Sequence, residues 1–81
     1  MRLVVTAHAA EMMEERGIEA ALVAAVLAEP LRVVPDPRGA PLQRAYAVIP
    51  TAGGRVLRVV FRQDGDDFVI VTTHFDRGAR P

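Results

Sequence analysis

Apolar residues recur at helical spacing in the first third of this chain and alternate with polar ones through the last half. Leu3-Val4-Val5 is short, apolar and β-branched, which predicts a first strand over Arg2 to Val5. Thr6 suits the N-cap of a helix running from Ala7 to Arg16. Gly17 can adopt the left-handed conformation that ends a helix, with Ile18 as the apolar contact beyond it. A second helix is predicted over Glu19 to Ala28, with Leu22, Val23, Val26 and Leu27 as its apolar stripe. Pro30 stops it.

Leu31 to Val34 reads as a strand. Residues Pro35 to Pro41 form the one long loop-like stretch, expected to be mobile. Three strands follow, Leu42 to Ile49, Arg55 to Arg62 and Asp67 to Phe75, joined by connections that suit hairpins. The expected fold class is α+β in the order β-α-α-β-β-β-β, with two N-terminal helices on one face of an antiparallel sheet. Residues 1–81 are expected to form one domain, with a frayed tail over 77–81.

Strand parity divides the side chains into two faces. Ala45, Ala47, Ile49, Leu57, Val59, Phe61, Val69, Val71, Thr73 and Phe75 make an apolar set for the helices to cover. The opposite set mixes Leu42, Val48, Val56, Val60, Phe68 and Ile70 with Arg44, Tyr46, Arg58, Arg62, Thr72 and His74. Hairpins centred on Ala52 and Gly65 put Tyr46 and Thr72 on either side of Arg58, with Arg44 and His74 as diagonal neighbours.

Charge changes this picture little. Ten acidic residues balance ten basic ones, all of them arginine. Residues 1–41 carry four arginines and six acids, and residues 42–81 carry six and four, so the halves differ by sign only slightly. That gives weak support to an anionic ligand on the second half. With no cysteine, neither a disulfide framework nor a thiolate metal site is open to this chain, and with no serine there is no serine nucleophile. No metal site and no cofactor are expected. The apolar N-terminal run is broken at Thr6 and His8, which does not read as a signal peptide, and no run is long enough to span a bilayer. A cytoplasmic, membrane-free protein is expected.

The polar face offers chemistry. The Arg58 guanidinium is a planar fork of donors for a phosphate or carboxylate, or else a solvated arginine on an open sheet. His74 is either a general acid or base, or a strand-end histidine facing water. Tyr46 either positions a phosphate or base, or packs. Arg44, Arg62 and Thr72 flank these as candidate RNA contacts. On the first helix, His8 and Arg16 lie about 80° apart around the axis. By themselves both read as structural, Arg16 pairing with last-turn carbonyls and with Glu11, Glu14 and Glu15.

The stretch from His8-Ala9 through Glu14-Glu15-Arg16-Gly17-Ile18, then Pro30, and later Val69-Ile70-Val71-Thr72-Thr73-His74 resembles the DUF4258 family. Met12 stands where that family's pattern has arginine. The family looks related to the RelE/ParE-like toxin ribonucleases, within a group that includes barnase-like and colicin-like nucleases. The resemblance implies a RelE-like fold with an RNA-facing surface, and it adds His8 and Arg16 to the candidate catalytic residues. The first expectation is therefore a metal-independent endoribonuclease of the kind found as the toxin of a toxin–antitoxin pair, with His8 or His74 as acid and base. Arg58 and Arg16 would stabilise charge and Tyr46 would position the substrate. Its partners would be RNA, ribosome-associated or free, and an antitoxin protein. The alternative is a non-catalytic module that binds a partner protein or a second copy of itself.

Overall fold

The structure, a computed structural model, describes residues 1–78. The elements are β1 (Arg2–Val5), α1 (Ala7–Arg16), α2 (Ala20–Ala28), β2 (Arg32–Pro35), β3 (Gln43–Ile49), a 3-10 turn (Pro50–Ala52), β4 (Arg55–Asp64) and β5 (Asp67–Phe75). The five strands form one sheet in the order β1-β5-β4-β3-β2. It is mixed, not antiparallel as expected, because β1 pairs parallel with β5. A strand that runs directly into a helix has no hairpin partner, and β1 finds its neighbour at the far end of the chain. Arg2 there forms an ion pair with Asp67, its partner in the register.

Thr6 joins the two layers. Its hydroxyl accepts from the Ala9 amide at 3.2 Å, capping α1, and donates to the Ile70 carbonyl at 2.8 Å. The helix ends as its sequence predicts. Gly17 takes φ 64°, and the Ile18 amide donates to the Met13 carbonyl at 2.9 Å, which closes the last turn and buries Ile18. The second helix begins one residue later than expected, with Glu19 as its N-cap residue.

Both helices cover the same side of the sheet. Ala9, Ile18, Val23 and Val26 pack there against Ala45, Ile49, Leu57, Val59, Phe61 and Ile70 in one buried cluster. Alternation along β3 and β4 holds as expected. Along β5 it breaks. The turn at Gly65-Asp66 pairs Asp64 with Asp67, and glycine supplies the positive φ, 59°, that opens it. Phe61 then pairs with Ile70 but Val60 pairs with Thr72, so Val71 is an extra, bulged residue. Before the bulge, even positions face the helices: Ile70 is fully buried in the core and Phe68 packs against it. After the bulge, odd positions do. The assignment of Phe68 and Ile70 to the polar face, and of Val69 to the helical face, is therefore corrected.

The bulge also corrects the pairing of Arg58, which lies opposite His74 and not Thr72. The stretch from Pro35 to Pro41, expected as a mobile loop, folds around the Asp36 carboxylate, which is shielded from solvent. That carboxylate accepts from the Arg38 amide at 2.9 Å and from the guanidinium Nε of Arg38 and Arg44 at 2.8 and 2.9 Å. The expected frayed tail falls partly outside the described residues, at 79–81; Arg77 and Gly78 form a turn, with the Gly78 amide on the Asp76 carboxylate at 3.0 Å. No helix among the described residues is long and apolar enough to cross a membrane.

Candidate functional site

Among the described residues no helix or strand covers the face opposite the helices, and its side chains line up in cross-strand rows. One row runs Arg32, Tyr46, Arg58 and His74 across β2, β3, β4 and β5. The next runs Val34, Arg44, Val60 and Thr72. Val56 and Val60 on this face are nonetheless buried.

Arg58 is the centre of the first row. One terminal nitrogen is in hydrogen-bond contact with His74 Nε2, and the other lies 3.2 Å from the Asp76 carboxylate. Its Nε is buried without a partner, and only 18% of the side chain is exposed. Because a guanidinium can only donate, a hydrogen bond here requires His74 Nε2 to accept, which is the role of a neutral imidazole protonated at Nδ1. Burial, and then the Arg58 charge, push the His74 pKa below its ordinary value, with a smaller push from Arg16. The site therefore holds a histidine in its basic form beside a fixed cation.

Tyr46 supports this row from one side. It is 6% exposed, with the Arg32 guanidinium 4.5 Å above the ring and Arg44 next to it on the same face of β3. One ring face is thus occupied by Arg32. Arg44 connects the row to the Asp36 turn, where hydrogen bonds from Arg38 first and Arg44 next hold the Asp36 carboxyl well below the usual carboxylate range. Arg62 extends the same face past the end of β3, 3.9 Å from Asp64 and 43% exposed.

The structure thus brings together Tyr46, Arg58 and His74, with Arg44 and Thr72 one row away. It does not bring His8 to them. His8 lies in the first turn of α1, on the other layer, exposed and without a side-chain hydrogen bond or ion pair among the described residues. Arg16 sits at the opposite end of α1, beside Phe75, with its guanidinium against Met12 Sδ and not in an ion pair with the Glu11, Glu14 and Glu15 cluster. Among the described residues no group of three His, Cys, Asp or Glu side chains is placed to hold a metal ion.

Sequence reasoning missed Asp76, Arg32 and Asp36. Asp76 was within reach, since it follows His74 by two and parity places it on the same face. Arg32 required the β2–β3 register, and Asp36 lay in a stretch read as a loop.

A small α+β domain, with two helices on one face of a mixed five-stranded sheet and an arginine–histidine row on the other, is the class these features define. Within it, this chain belongs to the DUF4258 family, described as a domain of unknown function, which it matches over residues 5–74. No curated protein and no solved structure matches the chain.

Proposed function

We propose that the open face binds RNA and that the Arg58–His74 pair cleaves it, as a metal-independent endoribonuclease of the RelE-like toxin type. The observation that carries this reading is the contact between a neutral histidine and a partly buried guanidinium, in a row supported by Tyr46. RNA cleavage without metal needs a base for the 2′-hydroxyl and a cation at the phosphate. An incoming phosphodiester takes over donors of Arg58, which frees His74 Nε2 to accept the 2′-hydroxyl proton. The 2′-oxygen then bonds to phosphorus as the bond to the 5′-oxygen breaks, leaving a 2′,3′-cyclic phosphate. The departing oxygen takes its proton from solvent. A basic form of His74 that persists to lower pH favours the first step.

The test is cleavage of a labelled RNA, with and without ribosomes, together with growth on induction. Asparagine at position 74 should lower the cleavage rate about 10²–10⁴-fold. Alanine at position 58 should lower it about 10²–10³-fold. A wild-type protein that cuts no RNA and leaves growth unchanged removes the proposal.

A second reading, pairing with a further copy through a sheet edge, is favoured by one observation. β2 is an edge strand of the sheet, and Leu31 just before it and Val33 within it are 51% and 43% exposed. The open face itself gives that reading less support, because Val56 and Val60 are already covered and Phe68 and Ile70 lie on the helical side. Lysine at Val33 should convert a dimer to monomer in sedimentation if the edge is the interface.

A further inference from the structure

Six of the nine described arginines have an acidic or tyrosine partner. Arg2 pairs with Asp67, Arg38 and Arg44 with Asp36, Arg58 with Asp76 and Arg62 with Asp64, while Arg32 stacks on Tyr46. Three arginines, Arg16, Arg55 and Arg77, form no ion pair among the described residues, and these three converge on one place. They surround Phe75 at the end of the sheet, where β4 begins and β5 finishes.

Beside them lies a groove of about 510 Å³, walled by the end of α1, the start of α2 and the turn between β3 and β4. Arg55 closes one side, its guanidinium 4.0 Å over the Phe75 ring and its Nε on the Ala52 carbonyl at 2.9 Å. These contacts fix the fork of Arg55 and leave its terminal nitrogens for a ligand. Glu19 also lines the groove, without forming an ion pair to any of the three arginines.

In a chain with no net charge, three converging guanidiniums that form no ion pair among the described residues are an arrangement that an anion completes. We propose that the end of this groove where Arg77 joins Arg16, Arg55 and Phe75 around a pocket of about 290 Å³ is a phosphate-binding site. It is distinct from the Arg58–His74 row, although Phe75 at its centre directly follows His74 in β5. The ligand class is a phosphate ester, either a phosphodiester of a nucleic-acid strand or a terminal phosphomonoester. Unlike the paired arginines, these three need break no ion pair among the described residues to bind it.

The site does not depend on the nuclease reading, and one experiment separates the two. Binding of inorganic phosphate, a 5′-phosphorylated dinucleotide and an unphosphorylated RNA decamer is measured by heteronuclear NMR at low and moderate salt, using the intact protein. Shifts should centre on Gly17, Thr51 and Phe75. Glutamine at Arg16 or alanine at Arg77, both exposed positions, should each weaken binding about tenfold and reduce its salt dependence by about one charge. Lysine at Arg55 should retain most of it, which distinguishes lost charge from lost packing.

A decamer bound more tightly than the phosphorylated dinucleotide identifies a strand as the source, and the reverse order identifies a terminal phosphate. RNA that binds here but stays intact leaves the groove standing and sinks only the cleavage proposal. Phosphate-bearing probes that bind the R16Q/R77A double variant as well as wild type, or that shift only residues around Arg58, overturn the groove.

Discussion

His74 is held neutral by burial and by Arg58, so the folded chain takes up its proton later than the unfolded chain does. Just below the ordinary histidine value of 6.5 the unfolded state binds more protons, and stability falls as pH drops through that window. Asp36 acts in the same direction further down. Hydrogen bonds from Arg38 and Arg44 depress its pKa, so its stabilisation is complete above the ordinary value of 3.8 and is lost as pH falls below it. The melting temperature should therefore decline in two acid steps. Asparagine at His74 should remove the upper step and asparagine at Asp36 the lower. Because Asp36 closes a turn whose carboxylate is out of water, the Asp36 change should also lower the neutral-pH melting temperature by about 5–10 °C. Glutamine at Arg58 should raise the His74 pKa toward 6.5, read from the imidazole proton shifts; an unchanged value would show that burial alone sets it.

Between β1 and α1, Thr6 serves cap and sheet together, so alanine there should cost about 1–2 kcal/mol in urea unfolding. Gly17 is different: a methyl group would meet nothing within 4 Å, and only the positive φ opposes it. Alanine at Gly17 should therefore cost only about 1 kcal/mol. The bulge in β5 has the larger consequence. It turns the strand over between Ile70 and Thr72, so that Ile70 enters the core while His74, an even number of residues later, faces Arg58. Deleting Val71 should force either Ile70 or His74 to the wrong face, and the expected result is loss of the cooperative unfolding transition. This is also where reading the sequence stopped working. Helix ends at Thr6 and Gly17 were legible because capping has its own residue signature, and the faces of β3 and β4 were legible because polar and apolar positions alternate there. Residues 68–73 give no such contrast. They are apolar or threonine throughout, contain no glycine to mark a bulge, and fit either parity equally well. Tyr46 opposite Arg58 could be read; His74 in the same row could not.

An 81-residue domain has roughly 4–12 kcal/mol of net stability to lose. Leu57 is fully buried at the middle of its core, and alanine there should cost about 3 kcal/mol, a large share of that total. Retained cooperative unfolding with a midpoint shift below 1 kcal/mol would mean the helical layer closes over the cavity. The pairing of β1 with β5 sets a limit of another kind. Arg2 to Val5 align with Asp67 to Ile70, and the cap of the first helix rests on the Ile70 carbonyl, a separation of more than sixty positions. During synthesis, the opening segment emerges long before the residues it must lie against. Its apolar edge and the helix behind it wait without their neighbours until the final strand has left the ribosome, so the native arrangement can close only after translation of that strand. Chaperone engagement with the nascent chain should be concentrated in that interval.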